Sequence, residues 1–263
     1  MTSPANRGNG ADGPRAGPGR LTPAERAQLR RMLAAFALSG QPRRTPRLRP
    51  ARRGDVDPRR TVRELLRHGG EPARLRHRTP TTRPRRVVLL DVGGSMDPYA
   101  DALLCFAHAA VHGVAARTPT EVFTIGTRLT RVTREMAHRD PDAALAAFAD
   151  AVPDRSGGTR LGEMLRSFLD RWGQRSCARG AVVVVLSDGR ERGDPALLAA
   201  RMRRLHRPAH RVVWANPRKA RPGYAPLAAG MAALPHSDAS VEGHSLAALE
   251  RLAAVVRGAA ADA

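Results

Sequence analysis

The stretch "VVLLDVGGSMDPYADALLCF", residues 87–106, decides the fold, because an apolar run ends in a carboxylate and leads through two glycines into a helical pattern. A continuous aliphatic run of this length is typical of a strand that is buried on both faces of a parallel sheet. The apolar spacing of residues 97–116 indicates a helix. We therefore expect a strand–turn–helix unit with Asp91 at the carboxyl end of the strand.

The rest of the C-terminal two thirds repeats this alternation. Further strands are expected at residues 121–126, 181–188 and 210–216, with a short edge strand at 128–133. Helices are expected at residues 141–151, 160–173, 195–206 and 244–257. This pattern predicts an open, doubly wound α/β fold of Rossmann type, whose mostly parallel sheet carries helices on both faces.

Polar residues follow three of these segments where ligands bind in such sheets, at the carboxyl ends of the strands. Asp91 and Ser95 follow the first strand, Thr159 follows the glycines 157 and 158, and Asp188 ends the run "VVVVLSD". Taken singly, these residues are ordinary helix caps and turn residues. Together they bring two carboxylates to one desolvated edge, where a cation or hydrogen bonds must neutralise them. Carboxylate and hydroxyl oxygens suit Mg²⁺ or Mn²⁺, and the absence of His and Cys at these positions argues against zinc.

This arrangement resembles the metal-ion-dependent adhesion site of von Willebrand factor type A domains. The similarity covers about residues 86–256. Three further stretches resemble the bacterial CoxE-like group, namely "DPRRTVRELLRHGGEPARLRHR", "YADALLCFAHAA" and "WANPRKARPGYAPLAAGMAALPHSDASVEGHSLAALERL". The resemblance implies a cytoplasmic, non-catalytic interaction protein with metal ligands Asp91, Ser95, Thr159 and Asp188. It also implies a MoxR-type AAA+ ATPase as partner and a client metalloenzyme such as a molybdenum-containing carbon monoxide dehydrogenase.

One motif position departs from the family pattern Asp-x-Ser-x-Ser, because its middle serine is Gly93. The missing hydroxyl leaves two alternatives. Either water replaces it and a weakened cation site remains, shaped by Gly93, Gly94 and Gly158, or the domain is a metal-free scaffold that uses the same surface. We expect glycine to add no bulk at this position.

The N-terminal third carries most of the positive charge. Residues 1–86 contain 22 arginines and 6 acidic residues, a net charge of +16 out of +21 for the chain. We expect disorder over 1–20, a basic helical arm over 21–85 and a short tail at 258–263. Within the arm, helices are expected at 22–40 and 57–70, and prolines predict an irregular linker at 41–55. The arm is either a charged soluble segment or a nucleic-acid contact, and aromatic residues for base stacking are absent from its arginine clusters.

Several other function classes lack their sequence signals. Position 93 is glycine where a dehalogenase-type phosphotransferase carries a second acid, Ser95 lacks the G-x-S-x-G context of hydrolases, and no phosphate-binding loop occurs. Cys105 and Cys177 have no metal-ligand spacing and are expected to be small core residues in a reducing cytoplasm. We find neither a signal-peptide pattern nor an apolar run of membrane-spanning length.

Overall fold

The computed structural model describes residues 24, 27, 28, 31, 44–69, 74–82, 86–112, 119–154, 157–219, 225, 228–243 and 245–257. The strands are β1 Arg44–Ala51, β2 Asp55–Val56, β3 His77–Thr82, β4 Arg86–Asp91, β5 Thr120–Ile125, β6 Leu129–Arg131, β7 Val182–Leu186, β8 Arg211–Asn216 and β9 Ala239–Glu242. The α-helices are α1 Pro58–Arg67, α2 Ala100–His112, α3 Pro141–Ala151, α4 Leu161–Phe168, α5 Pro195–His206, α6 Ala228–Ala233 and α7 Leu246–Arg257.

The main sheet has the strand order β6-β5-β4-β7-β8-β9, and only β6 pairs antiparallel with its neighbour. The predicted α/β fold with a mostly parallel sheet is thereby confirmed. From β4 the chain first adds β5 on one side and later returns to place β7 on the other. A crevice opens where the winding direction reverses in this way, and it lies at the carboxyl ends of β4 and β7.

Both faces of the sheet are covered, as the apolar strands require. All six residues of β4 are buried. Val88 and Leu90 join a core cluster that includes residues of α2, α3 and α7, whereas Val87 and Leu89 join a cluster with residues of α4 and α5. Each such side chain contributes about 1.5–3 kcal/mol when it is fully buried. The cysteines are core residues as predicted, with Cys105 in the first cluster and Cys177 in the second.

The helix boundaries follow local capping signals. Asp140 and Asp194 cap α3 and α5, each followed by a proline at the first helical position, and both helices match the predicted ranges. The predicted helix at 97–116 is instead a 3₁₀ turn, Gly94–Tyr99, followed by α2. The predicted helix at 160–173 is α4 continued by a π-helical segment, Leu169–Cys177.

The linker expected at residues 41–55 was wrong over its described part. β1, β2 and β3 form a separate three-stranded antiparallel sheet in the order β1-β3-β2, and α1 lies between β2 and β3 in the chain. β1 tolerates its prolines because it is an edge strand, and its register shifts between Arg44 and Leu48. The helix expected at 57–70 is confirmed as α1, with Asp57 as its cap.

Several other expectations fall outside the described residues. The disorder expected at 1–20 and the tail at 258–263 lie there, as does most of the helix expected at 22–40. Within the described part of the chain, none of the helices combines the length and hydrophobicity needed to cross a membrane.

Candidate functional site

The candidate site lies at the crevice between the carboxyl ends of β4 and β7. Leu90 pairs with Leu186 in the parallel ladder, so Asp91 at the end of β4 stands next to Ser187, the first residue beyond β7. The loop that contains Thr159 reaches the same edge, because the backbone N–H of Gly94 donates to the carbonyl of Gly157 at 3.4 Å. Three chain segments that are distant in sequence therefore meet at one point.

Asp91 is the centre of a buried hydrogen-bond network. Its Oδ1 accepts from the Thr159 hydroxyl at 2.8 Å and from the Gly93 backbone N–H at 2.9 Å, and its Oδ2 accepts from the Ser187 hydroxyl at 2.6 Å. Burial raises the pKa of Asp91 to about 6 despite these hydrogen bonds, and the nearby Asp188 charge acts in the same direction. The structure therefore brings predicted residues Asp91 and Thr159 into direct contact.

The space beside Gly93 is filled rather than open. A Cβ atom at this position would lie 2.3 Å from the Thr159 hydroxyl oxygen and 3.3 Å from Asp91 Oδ1. Gly93 has φ −63° and ψ 155°, a conformation open to any residue, so the obstacle is steric contact and not backbone strain. A side chain at position 93 would therefore have to displace the Thr159 hydroxyl, which already occupies that space.

Asp188 is buried, but its carboxylate accepts fewer hydrogen bonds than that of Asp91. Its Oδ1 accepts from the Arg190 backbone N–H at 3.1 Å, whereas its Oδ2 is buried and has no hydrogen-bond partner among the described residues. The nearest cations are the guanidinium groups of Arg190 and Arg218, at 3.6 Å and 3.5 Å from Oδ2. A buried, charged oxygen without a hydrogen bond is unfavourable and therefore marks a place where a further positive ligand would be stabilised.

The remaining predicted residues have different surroundings. Ser95 is half-buried in the first turn of the 3₁₀ segment, and its side chain makes no hydrogen bond to the rest of the site within the described ranges. Gly158 leaves room for a guanidinium, since the Nε of Arg192 would lie 2.2 Å from a Cβ atom at position 158. Gly94 joins the motif to the Thr159 loop through the backbone hydrogen bond to Gly157.

The structure adds three residues to the candidate site that the sequence had not identified as part of it, namely Ser187, Arg190 and Arg218. Ser187 follows a strand in the sequence "VVVVLSDG", and the parallel register of β4 and β7 was the signal that would have placed its hydroxyl beside Asp91. The Ser187 hydroxyl also accepts from the Gly189 backbone N–H at 3.0 Å, which fixes its orientation toward Asp91. The arginines gave no signal, because arginine is common throughout the chain.

The donor atoms of the site fit the chemistry of a hydrated hard cation. The available groups are carboxylate and hydroxyl oxygens, and the buried Oδ2 of Asp188 lacks a hydrogen bond in the described part of the chain. A cluster of three or more His, Cys, Asp or Glu side chains is absent from the described residues. Carboxylate and hydroxyl oxygens are ligands that Mg²⁺ and Mn²⁺ accept in proteins, with water completing their coordination.

Comparison with known families agrees with this architecture. The family model for VWA domain containing CoxE-like proteins matches residues 29–249. The chain belongs to this family. Membership of the CoxE-like family supports a protein-interaction role, in agreement with the coarse expectation from the sequence. A comparison with curated proteins gives no match for this CoxE-like protein.

Solved structures with similar folds are distant in sequence. A von Willebrand factor type A protein from Catenulispora acidiphila is 17% identical, with a TM-score of 0.44, over 68% of this chain and 43% of that one. Proximal thread matrix protein 1 from the mussel byssus, with a zinc-occupied adhesion motif, is 13% identical (TM-score 0.45) over 66% and 47% of the two chains. BatB from Bacteroides thetaiotaomicron is 12% identical (TM-score 0.43) over 65% and 96%. The CoxE-like chain thus spans less than half of the first two proteins.

Proposed function

We propose that this CoxE-like protein is a non-catalytic adaptor that binds a partner protein through a divalent cation at the strand-end site. Asp91, Ser95, Thr159 and Asp188 would hold the ion, directly or through water. When bound, Mg²⁺ or Mn²⁺ would supply an open coordination position for an acidic side chain of the partner. The observation that carries this proposal is the buried Oδ2 of Asp188, which lacks a hydrogen bond among the described residues.

The chain's own residues prepare this site in a definite way. Ser187 and the Gly93 backbone hold the Asp91 carboxylate in a fixed orientation, and burial excludes bulk water from it. The two carboxylates carry two negative charges, which balance the two positive charges of a divalent cation and leave no excess negative charge around it. A partner Asp or Glu can therefore add an anionic ligand at the mouth of the crevice without strong repulsion.

The proposed partner is a MoxR-type AAA+ ATPase, and the proposed process is maturation of a metalloenzyme such as a molybdenum-containing carbon monoxide dehydrogenase. Both come from the family resemblance. A non-catalytic role in the cytoplasm is part of the same proposal. The geometry of Asp91 supports the non-catalytic part of this proposal. Both of its carboxylate oxygens accept hydrogen bonds and the residue is 3% exposed, so the carboxylate is poorly placed for nucleophilic attack.

A metal-free scaffold is the second candidate, and the arginines beside Asp188 favour it. Arg190 and Arg218 supply positive charge where a cation would otherwise lie. A nucleic-acid contact through the basic arm remains the third candidate. It is supported by the exposed arginines of α1, and it predicts affinity for DNA that falls steeply with salt.

The deciding experiment is co-purification of the full chain with a MoxR-type ATPase from the native organism, in Mg²⁺ and in chelator. We expect the complex to weaken in chelator and on Asp188→Ala, while Asp170→Ala, at an exposed carboxylate, leaves it intact. Neutralising the partner's acidic ligand should weaken binding non-additively with Asp188→Ala in a double-mutant cycle. Equal binding in chelator and by the Asp188→Ala variant would exclude the metal bridge.

A further inference from the structure

Three arginines surround the mouth of the strand-end crevice, and we call Arg190, Arg192 and Arg218 the arginine rim. The Arg190 and Arg218 side chains are 56% and 30% exposed, whereas the Asp188 side chain between them is fully buried. Their distances to Asp188 Oδ2, 3.6 Å and 3.5 Å, are ion-pair distances and exceed normal hydrogen-bond lengths. The guanidinium N–H groups of both arginines therefore remain available to a ligand that approaches from solvent.

Arg192 lies against the loop that contains Gly158 and Thr159. Its side chain lies over Gly158, where even a single added carbon would collide with Arg192 Nε at 2.2 Å. Its backbone N–H donates to the carbonyl of Thr159 at 3.1 Å, which joins the loop after β7 to the Thr159 loop. The rim is thus built into the loops that form the site and is not a set of unrelated surface arginines.

The acidic residues of these loops are already engaged by the backbone. Glu191 accepts from the backbone N–H groups of Gly162 at 2.8 Å and Gly193 at 2.6 Å, and Asp194 caps α5. Asp188 alone faces two of the rim guanidinium groups as a counter-charge in the described structure. The carboxylates of Glu191 and Asp194 are held by backbone N–H groups and form no ion pair with the rim arginines in the described structure.

We propose that the arginine rim is an anion subsite that binds carboxylates of an acidic segment in a partner protein, with or without a metal ion. The planar guanidinium fork matches a carboxylate and forms paired, charge-assisted hydrogen bonds with it. This inference deepens the proposed adaptor role and shares its assumption of a protein partner, but it does not require the cation. A nucleic acid fits less well, because Trp214, whose Nε1 donates to the Ser187 carbonyl, is only 2% exposed and offers no stacking surface.

The test uses the full chain and a fluorescein-labelled hexaglutamate peptide, followed by fluorescence polarisation in chelator at physiological salt. Arg190→Gln/Arg218→Gln should weaken binding about tenfold, the loss of roughly one charge-assisted hydrogen bond. The matched control, Arg59→Gln/Arg63→Gln, removes two exposed arginines from α1 and should change binding less than about twofold, because salt screens non-specific attraction. Hexaglutamine should not bind.

Two results would overturn the anion subsite. One is an equal loss of affinity in the two double variants, which would show that only net charge matters. The other is tighter binding of a labelled six-nucleotide single strand than of the peptide, if that binding is lost when the same two arginines are substituted. Thermal unfolding of both variants checks that they are folded. A separate Mg²⁺ titration of the wild type tests the cation, so that failure of the metal bridge and failure of the rim give different results.

Discussion

Substitution of Gly93 by serine, which restores the family motif, should destabilise the protein when no metal is present. The new Cβ would lie 2.3 Å from the Thr159 hydroxyl oxygen, so Thr159 must move away from Asp91. This breaks a buried 2.8 Å hydrogen bond to a carboxylate, a type of interaction that contributes about 1.5–3 kcal/mol. We therefore expect the free energy of unfolding to fall by about 2 kcal/mol, with a midpoint about 4–8 °C lower for a domain of this size.

The assay is chemical and thermal unfolding followed by circular dichroism in chelator. Gly230→Ser is the matched control, since a Cβ at that helical glycine would meet no atom within 4 Å, and it should leave stability unchanged or slightly higher. Thr159→Ala alone loses the same hydrogen bond and should have a similar effect to Gly93→Ser.

The double variant Gly93→Ser/Thr159→Ala separates steric conflict from other causes. With the threonine hydroxyl absent, the serine hydroxyl can donate to Asp91, whose Oδ1 would lie 3.3 Å from the new Cβ. The double variant should then be about as stable as either single variant, not worse by the sum of both losses. Additive losses, or a Gly93→Ser protein as stable as the wild type, would refute the reasoning.

Three further predictions concern charge. The folded-state pKa of Asp91 is raised from 3.8 to about 6, so its stabilising contribution is present at low pH and is lost as pH rises through 6. The unfolding free energy of the wild type in chelator should therefore fall relative to that of Asp91→Asn by about 2 kcal/mol as pH rises from about 4 to about 6. Parallel pH profiles of the two proteins in denaturant titrations would contradict this. Arg190→Gln/Arg218→Gln should tighten Mn²⁺ binding, measured by calorimetry, because two positive charges leave Asp188, and unchanged affinity would mean that they do not compete with the ion. If the arm contacts nucleic acid, its DNA affinity should fall steeply with salt and be lost when residues 1–85 are removed; salt-insensitive binding by the shortened chain would exclude this contact.

The sheet was predictable because its central strands are buried on both faces and two of the helices that cover it have strong caps. The runs that became β4, β7 and β8 are almost wholly apolar, and Asp-Pro pairs begin α3 and α5. β9 was missed because its four residues, Ala-Ser-Val-Glu, alternate in burial and give too short a signal. The β1–β3 sheet was missed because its stabilising pairings join residues about 30 positions apart, which local composition cannot reveal.

The candidate site was predictable in location but not in detail. Asp91 and Asp188 stand out as carboxylates that end apolar runs, and the parallel arrangement brings such residues to one edge. The engagement of Thr159 with Asp91 depends on a loop conformation set by contacts such as Gly94 to Gly157. Those contacts are tertiary, so neither the filled space at Gly93 nor the arginines beside Asp188 follow from the sequence.

The most direct test of the proposed cation site is a titration of the full chain with Mn²⁺, in which free ion is measured by electron paramagnetic resonance. We expect one bound ion per chain in the wild type and in Asp170→Asn, whose exposed carboxylate lies outside the site. Asp188→Asn should lose this binding, because the buried Oδ2 would no longer carry its charge. A wild-type protein that binds no Mn²⁺, or an Asp188→Asn variant that binds it as well as Asp170→Asn, would contradict the account.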